Sequence, residues 1–116
     1  MINGAHLLIF SNQADAVRPF LRDLLGRSSV DAGERWLIMA LPPAELAVHP
    51  TDGPSRHELY LMCDDVEVTI RELAERGVEC GPVADREWGL VTTIKLPGGD
   101  AIGLYQPKHP RAIAGS

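Results

Sequence analysis

His57-Glu58-Leu59-Tyr60-Leu61-Met62-Cys63-Asp64-Asp65-Val66 is the stretch on which the fold turns. Through 58–62 apolar residues alternate with a less uniform set, the signature of a strand with two unlike faces. Alternation sends Leu59 and Leu61 toward a core and leaves Glu58, Tyr60 and Met62 on the other side. The paired aspartates then open a helix. Asp64 is the expected cap, and Glu67, three residues on, completes a capping box. Val66, Ile70, Leu73 and Ala74 follow at helical spacing, and Gly77 supplies the stop.

The same order occurs once before. His6-Leu7-Leu8-Ile9-Phe10 reads as a strand buried on both faces. Val17, Phe20, Leu21 and Leu24 then fall on one helix face, and Gly26 ends it. An offset of 51 carries His6 onto His57 and Gly26 onto Gly77, while an offset of 52 carries Leu21 onto Leu73. Pro19 falls inside this pattern, where a proline costs about 3 kcal/mol. A late helix start is therefore expected, with Asp15 as cap and Pro19 in the first turns. Each half continues into strands, 36–41 and 45–49 in the first, 89–96 and 101–105 in the second. Pro97-Gly98-Gly99-Asp100 joins the last two as a turn. The expected division is a first module over about 1–50, a linker at 51–56, a second module over about 57–107, and a loose tail at 108–116.

With 116 residues the chain forms one domain, and its 45% hydrophobic content suffices for a core. A net charge of -5 with no run of Lys or Arg argues against a nucleic-acid partner. Cys63 and Cys80 make neither a disulfide framework nor a CxxC site. Apolar runs are strand-sized, so no membrane span is expected. No basic region followed by an apolar segment opens the chain, which makes the cytoplasm the expected compartment.

These features together resemble the vicinal oxygen chelate superfamily, which includes glyoxalase I, bleomycin-resistance proteins, fosfomycin-resistance enzymes and extradiol dioxygenases. The residues that carry the resemblance are His6, Leu24-Leu25-Gly26, Asp64-Asp65-Val66 and, most specifically, Leu96-Pro97-Gly98-Gly99-Asp100-Ala101-Ile102-Gly103-Leu104-Tyr105-Gln106-Pro107. It spans about residues 4 to 107. The resemblance implies an α+β fold, in which two βαβββ modules form one cup-shaped mixed sheet with helices packed outside. It also implies a homodimer, the cup being built within one chain or between two.

Metal-dependent members of that superfamily take ligands from the first and last strand of each module. Those positions hold His6, Glu45, Glu58 and Gly103 here, and glycine has no side chain to offer. His6 is either a ligand or a buried histidine bonded to backbone, and Glu45 either a cup group or a solvated carboxylate. His57 falls on the opposite face, where a surface role is expected. His49 is a second imidazole on the face of Glu45. Such a set would take a divalent zinc, nickel, manganese or iron ion; without one, His6 flanked by carboxylates is a general-base or pocket-lining constellation. Tyr60, Met62, His49, Trp36, Trp88 and Tyr105 are expected to line a ligand site, the tryptophans by stacking or by sealing a sheet edge.

Three functions remain. The first is a small-molecule-binding protein of the bleomycin-resistance type that uses the cup without metal; Gly103 favours it. The second is a metal-dependent lyase, isomerase or dioxygenase with His6, Glu45 and Glu58 as ligands. The third is a dimeric scaffold with a vestigial cup.

Overall fold

The computed structural model describes residues 6–31, 37–48, 50–54, 56–110 and 112. The described elements run α1 (Ala14–Leu25), β1 (Ser29–Asp31), β2 (Leu37–Met39), β3 (Tyr60–Met62), α2 (Val66–Glu75), β4 (Ala84–Arg86), β5 (Gly89–Lys95) and β6 (Ala101–Pro107). The architecture is α+β. β1 and β2 form an antiparallel pair, and the other strands form a mixed sheet in the order β3-β6-β5-β4. β6 lies parallel to β3 and antiparallel to β5.

The second half follows its pattern closely. Leu96 N–H donates to the Asp100 carbonyl and Gly99 N–H to that of Leu96, which closes the expected turn between β5 and β6. α2 begins one residue later than expected. Its cap is Asp65, whose side chain accepts from Val68 N–H at 3.1 Å. Behind the cap, Val66 is 0% exposed, and its N–H donates to Gln106 Oε1 at 3.0 Å. Ala74, assigned to the apolar face, is exposed, while Leu73 is buried and Ile70 half-buried. β4 was not foreseen, being only three residues long.

The first half departs further. α1 starts at Ala14 with Gln13 at its cap position, where no side chain caps it, so Pro19 lies within the helix and Asp15 is not the cap. Asp15 instead pairs with Arg18 at 2.7 Å across one turn. The amphipathic face accounts for the tolerated proline: Val17 and Leu21 are buried, and each such burial is worth about 1.5–3 kcal/mol. Gly26 ends the helix at φ 62°, a left-handed turn that glycine adopts freely. Residues 6–10 and, of the expected strand 45–49, the described residues 45–48 are not strands, contrary to expectation, and Phe10, Leu46 and Val48 are 88%, 93% and 89% exposed. Of the expected strand 36–41, Leu37–Met39 forms and pairs with β1. The described strands thus make two sheets rather than one cup-shaped sheet.

Both helices serve one core. Val17 and Leu21 of α1 join Val66 and Leu73 of α2, Ile94 of β5, Leu96, and Ile102 and Leu104 of β6 in a single buried cluster. Arg76, just past α2, donates to the Asp23 carbonyl of α1 at 2.9 Å. This core takes up one face of the four-stranded sheet and leaves the other open. Among the described residues, no helix is long and apolar enough to cross a membrane.

Candidate functional site

The register of the sheet decides what the open face carries. Tyr60 stands opposite Gly103, and Tyr105 stands opposite both Met62 and Val91. Opposed residues share a face, so these look away from the face of Ile94, Ile102 and Leu104. Tyr60 and Met62 therefore sit where alternation placed them, with Leu61 packed against the core on the other side.

Three aromatic side chains gather there. Tyr60, Trp88 and Tyr105 have ring centroids 5.9, 5.7 and 5.3 Å apart, taken as Tyr60–Trp88, Tyr60–Tyr105 and Trp88–Tyr105. Their planes meet at 83°, 85° and 72° in the same order, so the rings stand nearly perpendicular to one another. Edge-to-face contact of this kind adds about 0.5–1.5 kcal/mol per pair beyond the area buried. Gly103 makes the arrangement possible. A Cβ there would lie 2.1 Å from Tyr60 Cδ1 and 2.8 Å from Cγ, so the ring rests directly on the β6 backbone. The position that resemblance marks as a missing ligand is the floor beneath an aromatic ring.

Hydrogen bonds hold two of the rings. Tyr60 Oη donates to Glu58 Oε1 at 3.0 Å, and Arg56 Nε donates to Glu58 Oε2 at 3.0 Å. The Tyr60 phenol is pushed above its ordinary value, first by burial, then by the bond to Glu58 and its charge, with Arg56 opposing. Tyr105 Oη lies 3.2 Å from His109 Nε2, and His109 Nδ1 lies 2.8 Å from the Pro110 carbonyl. A carbonyl only accepts, so Nδ1 carries the proton in the neutral ring and Tyr105 donates to Nε2. Lys108 bonds the Asp85 carboxylate, donates to the Arg86 carbonyl at 2.9 Å, and gives its N–H to the Trp88 carbonyl. The segment just after β6, expected to be loose, is tied across this face at its first two residues. Sequence reasoning missed Arg56, Lys108 and His109, because no pattern marks a contact that depends on where a chain end turns.

The proposed ligand set is not brought together. His6 is exposed and outside any strand. Both Glu58 oxygens are engaged as above, and Glu45 accepts from the Ala112 N–H. Among the described residues, no group of three or more His, Cys, Asp or Glu side chains is placed to hold a metal ion. As placed here, His6, Glu45 and Glu58 do not fit a shared ion, and Tyr60 fills the space over the fourth position. His49 and Trp36 lie outside the described residues. Surface depressions beside α1, one along 11–16 and one between Arg18 and Leu37, share no residue with the aromatic cluster.

The cysteines are quiet. Cys63 packs against the core and donates to the Tyr105 carbonyl at 3.6 Å; burial pushes its thiol up, as do Asp64 and Asp65, against the Thr69 hydroxyl. Cys80 is half-buried, its backbone forms an isolated antiparallel β-bridge with Ile94, and burial raises its thiol too.

An α+β domain with a mixed sheet, two helices on one face and aromatic rings on the other is consistent with the glyoxalase-like class. No protein-family model matches the chain, and no curated protein matches it. Among solved structures it is similar to TnmS3, an antibiotic-binding protein from Streptomyces sp. CB03234, with 27% identity and a TM-score of 0.62. The alignment covers 93% of this chain and 100% of that one.

Proposed function

We propose that this chain is a small-molecule-binding protein of the bleomycin-resistance type, with the open face of the four-stranded sheet as its ligand surface. The observation that carries the reading is the three-ring cluster of Tyr60, Trp88 and Tyr105, with the Tyr60 ring seated over Gly103. Rings fixed before a ligand arrives bind at a lower entropic cost than mobile ones. Similarity to an antibiotic-binding protein over nearly the whole chain supports the same reading. The test is thermal unfolding against a panel of planar antibiotics. A saturable rise in Tm that disappears in Trp88→Ala and Tyr60→Ala is expected. A panel that leaves Tm unmoved would favour the scaffold reading.

The working unit in this proposal is a homodimer. What supports it is the exposure of the apolar side chains of Leu7, Leu8, Phe10, Leu46 and Val48. A two-module cup completed by such pairing, with the division near 51–56 as its hinge, is the architecture this reading favours.

A further inference from the structure

We infer that Lys108-His109-Pro110 is a strap, held over the aromatic face by its own contacts, that must lift before a ligand reaches Tyr105; this rests on the small-molecule reading above and adds a gate to that site. These residues carry no strand or helix pattern, so contacts alone place them. β6 ends at Pro107, and the next residue fastens at once, Lys108 N–H donating to the Trp88 carbonyl at 3.0 Å. The Lys108 ammonium bonds the Asp85 carboxylate and donates to the Arg86 carbonyl at 2.9 Å, which pins it at the β4 edge. His109 then turns back onto Tyr105, with ring centroids 6.0 Å apart and planes at 38°. Further on, Ala112 N–H donates to Glu45, so the chain is fastened on either side of His109.

The contacts are of a kind that opens. Lys108, His109 and Pro110 are exposed, as are Asp85 and Arg86. Exposed ion pairs contribute little, and segments held by such contacts open locally far more often than a core does. Tyr105 stays in place when this happens, because its strand is paired on both sides, with β3 and with β5. The strap thus moves against a fixed ring. When closed, His109 takes both the ring contact and the phenol of Tyr105, which donates to Nε2 across 3.2 Å. The Pro110 carbonyl, 2.8 Å from Nδ1, selects the tautomer that accepts this bond. A ligand that brings an aromatic ring and a hydrogen-bond acceptor therefore competes with His109 for the same two features. Its apparent affinity is lowered by the fraction of chains with the strap closed.

The test uses acridone, a fused ring with a carbonyl acceptor, titrated into the full chain and followed by calorimetry and by NMR. His109→Ala removes the ring of the strap, and Lys108→Ala removes its anchor at the β4 edge. Both variants are expected to bind acridone about threefold to tenfold more tightly than the parent. Partial unfolding weakens binding, so damage to the fold does not produce this result. In the parent, saturation with acridone should move the His109 ring protons, assigned by their loss in His109→Ala, toward their positions in the urea-unfolded chain. Weaker or unchanged binding in either variant overturns the inference, as do His109 signals that stay in place at saturation. In those cases, acridone binding by the parent that needs Trp88 leaves the small-molecule reading standing. If neither the parent nor His109→Ala binds acridone, both fall.

Discussion

Gly103 is the residue on which the open face depends. Any side chain there enters the Tyr60 ring, with a Cβ 2.1 Å from Cδ1 and 2.5 Å from Cε1. Gly103→Ala is therefore expected to displace the ring, at a cost of about 1–3 kcal/mol, and to abolish ligand-induced stabilisation. Urea denaturation with and without ligand measures the two effects separately. Tyr60 also sets a pH dependence. Its phenol is raised above 10.0 in the folded chain, so the folded state holds the proton where the unfolded state has begun to release it. That contribution is complete below pH 10 and is lost as pH climbs through the folded value. In Glu58→Gln the raising carboxylate charge is gone, so absorbance titration should find Tyr60 ionising at lower pH than in the parent. The facing of Tyr60 and Met62 was legible because strand alternation is a local rule. The role of Gly103 was not, since a sequence shows that a side chain is absent but not which neighbour uses the space.

At the scale of elements, the adjacent pair Asp64-Asp65 shows where local patterning stops. Both residues precede the helix and both cap well, so only the bond from Val68 N–H to Asp65 decides between them. Asp65→Ala should cost about 1 kcal/mol in chemical denaturation and Asp64→Ala a few tenths at most. Equal losses would mean that the cap is shared. The second half was readable because its strands carry alternation and its turn carries Pro97-Gly98-Gly99-Asp100. β1 and β4 escaped because three residues are too few to show a period. Residues 6–10 and 45–48 were read as strands for their side chains, which remain strand-like. Apolar periodicity reports what a segment would bury, whereas a strand also needs a neighbour for its hydrogen bonds, and the described sheets supply none.

For the whole molecule, the same two segments give the decisive measurement. Phe10, Leu46 and Val48 expose nearly their full side chains, and a lone monomer gains nothing from that arrangement. Burying even 1,000 Å² of such surface is worth up to about 25 kcal/mol before association and ordering costs, which together consume most of it. Light scattering should therefore give about twice the mass of one chain, and Tm should rise with protein concentration. The double variant Phe10→Asp, Leu46→Asp places two charges on the surface to be covered and should shift the protein toward monomer. The variant also tests whether the site is complete in one chain. A monomeric variant that still binds ligand with unchanged affinity assigns the aromatic corner to a single chain. One that folds, by retained far-ultraviolet dichroism, yet loses the ligand places part of the site on the partner copy. A parent protein that scatters as a monomer at high concentration would leave the exposed strand-like segments without a physical reason, and the dimer would have to be abandoned.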